Sequence, residues 1–249
     1  MICYHGTPLS GGNKIIAECF NYRDAMVSFF APDAIETCAE ICRSVVLDNG
    51  AFSAWRAGRP VENWSAYYSW VDKWHRHPSV LWACIPDVID GDEDANDELI
   101  ERWPHGSFGV PVWHLHESME RLHRLAICFG TVALGSSGQY AEVGTTSWWH
   151  RMSEAMSEVC DEEGRPKVKL HGLRMLDPTV LAHLPLASGD STNCGRNIGI
   201  DNAWKGTYAP TSRSVRAIVI MDRIENHAKA SRWCGTSGRQ MNFELLDYG

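Results

Sequence analysis

Long apolar runs are missing from this chain of 249 residues. None approaches the roughly 18 to 20 residues that cross a bilayer, and the N-terminus lacks a basic segment followed by an apolar signal core. The expectation is a soluble, unsecreted, cytoplasmic protein with no membrane partner. Cys-x-x-Cys pairs are also missing. The nine cysteines, at positions 3, 19, 38, 42, 84, 128, 160, 194 and 234, are odd in number and lack framework spacing, so they read as small buried apolar side chains in a reducing compartment. Cys38 and Cys42 stand four apart on an expected helix and do not make a zinc pair, so neither a metal nor another cofactor is expected. There is no Walker-type glycine loop, no Gly-x-Gly-x-x-Gly after the first strand and no Gly-x-Ser-x-Gly elbow, which removes the commonest nucleotide and hydrolase signatures. Positive charge is scarce: 23 Lys and Arg face 31 Asp and Glu, a net −8. That balance argues against a generic basic coat for nucleic acid.

What is present is a globular composition, 44% hydrophobic and 22% charged, which rules out a disordered or collagen-like chain. No repeat or low-complexity tract breaks it. One domain over 1–249 is expected, because α/β barrels reach roughly this length as single units. The charge is uneven. From Ser191 to Gly249 eight Lys or Arg oppose five acids, a local +3 that leaves −11 on the first 190 residues. The C-terminal part, about 197–249, is therefore a candidate for holding a phosphate backbone through Arg196, Lys205, Arg213 and Arg216, against the plainer reading of a solvated mixed-charge surface.

Short runs rich in Val, Ile and Leu predict strands at Met1–His5, Met26–Phe30, Ser44–Asp48, Leu81–Ile85, Val110–His114, Thr131–Leu134, Val168–His171 and Leu184–Ser188. Helical spacing predicts helices at Asp33–Cys42, Val61–Trp74, Asp92–Trp103, Ser118–Phe129, Ser147–Cys160 and Pro178–His183. Strands alternating with helices imply parallel pairing and right-handed crossovers. Eight such units suggest a (β/α)8 barrel, with an open doubly wound sheet as the alternative. The stretch from Asn197 to Ser214 reads as a long loop, and the apolar run Val215–Ile220 after it has no evident place.

In such a barrel, residues just past the carboxyl ends of the strands share one mouth. Those positions hold His5, Asp48, Asp87 with Asp90, His114 with His116, Ser136 with Ser137, His171 and Asp190. A single Asp after a strand is ordinarily a helix cap or turn residue; a convergent set looks like a site for acid, base or nucleophile work. A carboxylate can attack an anomeric carbon while a second moves the leaving group's proton. A third can pair with the amidine-like edge of guanine. Metal-assisted hydrolysis is the competing chemistry, although His114-Leu115-His116 is the only His-x-His at the end of an expected strand. His75 and His77 read as surface residues at a helix end, and Trp148 and Trp149 as helix packing.

The order of these motifs resembles the tRNA-guanine transglycosylases. Leu47-Asp48-Asn49-Gly50-Ala51-Phe52 is similar to their Asp-Ser-Gly-Gly-Phe-Gln signature, and Asp87 to their guanine-recognising Asp. Val112-Trp113-His114, Ala133-Leu134-Gly135-Ser136-Ser137 and Leu170-His171-Gly172-Leu173 resemble their Val-Gln-Gly, Ile-Gly-Gly and Met-Gly-Val segments. Ser188-Gly189-Asp190-Ser191-Thr192 falls where the nucleophile stands. The closer resemblance, over roughly residues 1 to 197, is to compact phage DpdA-type DNA-guanine transglycosylases, through His5-Gly6-Thr7-Pro8, Asp48 to Ser53, Leu170 to Leu173 and Ser188 to Thr192.

The resemblance implies a TIM barrel that exchanges guanine in DNA for a 7-deazaguanine base such as 7-cyano-7-deazaguanine. It makes Asp190 the nucleophile and Asp48 the general acid or base. Asp87 reads the base with His114, Gly135 and Ser136, while His171, His5, Asn49 and Phe52 complete the pocket. Two departures stand out. The Cys-x-Cys-x-x-Cys zinc site of the tRNA enzymes has no counterpart, since only Cys234 lies in the C-terminal part, and His114 replaces a Gln. The first favours DNA over tRNA; the second leaves the accepted base open. A tRNA-directed enzyme, a metal-dependent barrel hydrolase and a non-catalytic base-binding barrel remain the other readings, and oligomeric state, including a homodimer, is open.

Overall fold

A computed structural model describes residues 1–199, 204, 206, 208–229 and 231–234. Nine strands form it: β1 (Ile2–Gly6), β2 (Asp24–Ser28), β3 (Ser44–Asp48), β4 (Val80–Cys84), β5 (Gly109–Val110), β6 (Val112–His114), β7 (Thr131–Gly135), β8 (Lys169–Gly172) and β9 (Ser188–Ser191). The helices are α1 (Gly12–Cys19), α2 (Ile35–Ile41), α3 (Ala51–Arg56), α4 (Ser65–Trp74), α5 (Glu93–Glu101), α6 (Met119–Cys128), α7 (Thr146–Val159), α8 (Pro178–Leu181), α9 (Asn193–Asn197) and α10 (Arg213–Glu225). All strand pairs are parallel, in the order β5-β4-β3-β2-β1-β9-β8-β7-β6. The sheet's two ends are consecutive in the chain, with only Pro111 between them. Val110 pairs with Cys84 on one side, and Val112 with Ala133 on the other. The result is a nearly closed parallel barrel.

Alternation along the strands sorts side chains inward and outward. Tyr4, Met26, Val46 and Cys84 fill the interior with Trp82, and Val110, Val112 and Ala133 continue it. Cys3, Ala25, Val27, Val45, Leu47 and Ala83 point outward into the layer beneath the helices. Helix starts follow local chemistry. Asp92 accepts from the Ala95 amide (2.9 Å) ahead of an acidic first turn, and Ser118 from that of Arg121 (3.1 Å). All nine cysteines are unbridged, with Cys128 and Cys234 exposed and the rest buried. Among the described residues, no helix is long and apolar enough to cross a membrane.

Several expectations are corrected. The expected Val110–His114 strand is two, because Pro111 has no amide hydrogen for the ladder. The last strand is not Leu184–Ser188 but Ser188–Ser191: Leu184 and Leu186 are buried in the outer apolar layer instead. Val215–Ile220 is part of α10, whose Ala217, Ile220, Met221 and Ile224 bury against the barrel beside α1. Helices α1, α3 and α9 lie where none was expected.

Candidate active site

The carboxyl ends of the strands open on one cavity of about 430 Å³. Gly6, Ser28, Asp48, Cys84, His114, Gly135 and Asp190 border it from β1, β2, β3, β4, β6, β7 and β9, and Leu173 and Arg174 follow directly on β8. Asp87, Asn49, Phe52 and Ser136 complete the wall. The three aspartates that are scattered along the chain thus share one space.

Asp48 ends β3, and the chain must turn at once into α3. Gly50 makes that turn at φ +79°, and a Cβ there would lie 2.8 Å from the Phe30 amide nitrogen, so only glycine fits. Burial pushes the Asp48 carboxyl up to about 6; the charges of Asp190 and Asp87 add to the rise, while hydrogen bonds from the Ser28 side chain and the Gly50 amide oppose it. A carboxyl so placed carries a proton part of the time near neutrality, as a general acid requires.

Asp190 projects from β9 beside Tyr4 of β1. Its Oδ1 accepts from the Arg174 amide (3.0 Å) and lies 3.4 Å from His171 Nε2. Among the described residues the hydrogen bonds to this carboxylate fall on Oδ1, which leaves Oδ2 available. Arg174 itself adopts φ +60°, turning its amide toward Asp190.

Asp87 is held from both sides. Asn49 Nδ2 donates to Oδ1 (2.7 Å) and His114 Nε2 to Oδ2 (2.8 Å). Behind His114 lies Glu117, whose Oε1 is 3.3 Å from Nδ1 and whose Oε2 accepts from the His114 amide (2.8 Å) and from Arg121 Nη1 (2.5 Å). Burial works against charge on the His114 ring, yet hydrogen bonds to Asp87 and Glu117 and their charges outweigh it and raise the imidazole to about 9. Burial likewise opposes ionisation of Glu117, and His114 with Arg121 overrides it, lowering that carboxyl. The result is a buried relay from Arg121 through Glu117 and a cationic His114 to Asp87.

At Ser136, the hydroxyl oxygen accepts from Trp148 Nε1 (2.9 Å), so its proton is free to be donated elsewhere. Trp148 is fully buried in the outer layer, in keeping with the packing role expected of it. Around the mouth stand Arg56, Arg174 and Arg196. The Arg174 guanidinium lies 3.8 Å from the centre of the Phe52 ring and donates to the Ser136 carbonyl (2.9 Å). Burial lowers its affinity for a proton, Asp190 opposes that, and neighbouring Arg196 and Arg56 reinforce it. Among the described residues the guanidinium groups of Arg56 and Arg196 have no hydrogen-bonding or ion-pair acceptor. Exposed Phe30 lines the same opening, and exposed Trp55 lies against Phe52 of its wall, with ring centres 5.8 Å apart.

Not every candidate reaches the cavity. His5 turns outward from the barrel to Glu225 of α10 (2.8 Å), which also takes Arg23 (2.7 Å). His171 lies beneath the wall, bonded to Ser188 Oγ (2.9 Å) and packed on Trp82. Arg216 is not a phosphate contact: it is buried, and its guanidinium donates to the carbonyls of Ile198 (2.6 Å), Pro210 (2.5 Å) and Thr211 (3.0 Å). Arg213 is exposed and reaches Ser10 (3.4 Å), and Lys205 lies outside the described residues. Sequence reasoning missed Arg56, Arg174, Glu117 and Arg121. The spacing His114-x-x-Glu117 and the position of Arg174 directly after Leu173 were the available signals.

Among the described residues, the groups placed to hold a metal ion jointly are not those of the cavity but Asp72, His75 and His105. No family model, no curated protein and no solved structure matches this chain.

Proposed function

We propose that the protein is a base-exchange transglycosylase acting on DNA, replacing guanine by a 7-deazaguanine base on a (β/α)8 barrel in which β5 and β6 count as one stave. The observation that carries this reading is the meeting of Asp48, Asp87 and Asp190 in one cavity rimmed by Arg56, Arg174 and Arg196. Its volume suits a single small ligand, and an arginine rim suits a phosphodiester at its mouth. A duplex base reaches such a cavity by leaving the stack, and Phe30 and Trp55 offer aromatic faces to its neighbours.

In this mechanism the free Oδ2 of Asp190 attacks C1′ of the sugar. The C1′–N9 bond breaks, its electron pair goes to N9, and guanine leaves with the proton of Asp48. The incoming base then gives its own N9 proton to the Asp48 carboxylate and attacks C1′, which releases Asp190 as a carboxylate. Each oxygen of Asp87 retains a lone pair for the two donors on the guanine edge, and the Ser136 proton meets the base carbonyl. With both nitrogens of its ring engaged by carboxylates, His114 orients Asp87 instead of touching the base.

The test is incubation of the protein with duplex DNA and labelled guanine or 7-cyano-7-deazaguanine, followed by digestion to nucleosides. Label should enter DNA, and Asp190→Asn should abolish both incorporation and a denaturation-resistant protein–DNA adduct. Label entering tRNA in place of DNA would reassign the polymer. Label entering neither would refute the proposal.

A further inference from the structure

The reaction described above leaves a second group of chemistry-bearing side chains unused, beside the amino ends of β4 and β5. Asp72 and His75 occupy positions i and i+3 at the end of α4, and His105 lies in the turn that leads into β5. One donor atom from each of the three falls within 4.8 Å of the others.

The local chemistry prepares these atoms for a cation. His75 Nδ1 lies 3.3 Å and 3.1 Å from the carbonyl oxygens of Val71 and Asp72, so Nδ1 carries the proton and Nε2 presents a lone pair. Backbone carbonyls fix the tautomer of metal-binding histidines in this way. The Arg76 Nε–H already uses that lone pair, at 3.3 Å, and Arg76 is exposed and free to swing aside.

His105 Nδ1 and Asp72 Oδ1 are 3.6 Å apart. That is too far for a hydrogen bond and close to the separation of about 3.4 Å between two ligands of a tetrahedral zinc ion. The His105 side chain is only 7% exposed, packed against Trp103 with ring centres 4.8 Å apart, and its Nε2 is buried without a partner. Hydrogen bonding to another side chain therefore does not account for a histidine at this place. The carbonyl end of α4 adds negative potential.

We propose that Asp72, His75 and His105 bind a divalent transition ion of the zinc type, with water as the fourth ligand, and so clasp the end of α4 to the chain entering β5. Two imidazoles and a carboxylate are the donor set such ions take. Placed at the amino ends of the strands, away from the cavity, the ion has a structural role. The absence of cysteine pairs excludes thiolate zinc sites and says nothing about this one.

The test uses the full chain carrying Cys128→Ser and Cys234→Ser, which removes the two exposed thiols as competing ligands. Titration with Zn²⁺ by calorimetry, and with Co²⁺ followed by its visible absorption, should show one ion bound with a tetrahedral spectrum and a raised Tm. Asp72→Asn and His75→Gln, at positions that are not buried, should each weaken binding by at least about tenfold, and Arg76→Ala should strengthen it. Undiminished binding in both ligand variants, or no binding by the parent protein at sub-millimolar ion, would overturn the proposal. Because none of these readouts uses base exchange, the result stands apart from the fate of the catalytic reading.

Discussion

Asp48→Asn should make the protein more stable while removing the group proposed to move the proton. Moving a carboxyl from its ordinary 3.8 to about 6 corresponds to at most about 3 kcal/mol. Because Asp48 opens on the cavity and its water, a realistic share is about 1–2 kcal/mol. The sign follows from linkage. A carboxyl whose folded value is raised contributes stability that is complete below the unfolded value, and that contribution is lost as pH rises through about 6. Near neutrality the wild type therefore carries the cost of an ionised, enclosed Asp48, and the amide does not. Urea unfolding of both proteins at about pH 7.5 and about pH 3.5 separates the two states. The variant should be more stable at the higher pH, and the difference should shrink to a few tenths of a kcal/mol at the lower one, where the carboxyl is neutral in the folded chain and mostly neutral in the unfolded one. No gain at the higher pH, or an equal gain at both, would show that the enclosure of Asp48 is not what raises it.

Other outcomes follow from the buried relay and the rim. His114, raised from 6.5 to about 9, contributes about 3 kcal/mol, fully present below pH 6.5 and lost as pH rises through about 9. This slope should be absent in His114→Gln, and NMR titration of the ring should find it protonated at neutral pH. Arg121→Met leaves the fully buried Glu117 with His114 as its remaining cation and should cost about 3 kcal/mol in chemical unfolding. Arg216→Ala, which removes the donor for three carbonyls, should cost about 2–3 kcal/mol. Arg196→Ala should change stability by less than about 0.5 kcal/mol yet weaken DNA binding and flatten its salt dependence.

The sequence was most readable where local chemistry and tertiary demand agree. Ser44–Asp48 is a Val-rich strand ending in a polar residue, and its expected bounds match those found. Asp92 and Ser118 announce their helices because a capping oxygen and the periodicity after it are both local signals. The strand bearing Asp190 was harder. Ser-Gly-Asp-Ser has almost no intrinsic strand preference, and pairing with β1 and β8 on either side decides it. Likewise the Val and Ile of α10 suggest a strand when read alone, and burial against α1 overrules them. The convergence of the aspartates was legible from strand order. The rim arginines were not, because a mouth is lined from loops that are far apart in the chain. The turning of His5 away from the cavity depends on Glu225, 220 residues later, which no short-range pattern reveals.

Pro111 has a consequence for how the molecule meets its neighbours. Open sheets invite strand addition along their outermost strands. Here those two outermost strands span two and three residues, belong to one continuous stretch and are parted by an imide that cannot donate. A foreign segment finds no ladder long enough to extend, and the wall is thereby guarded against edge-to-edge association at the place where its circuit is completed.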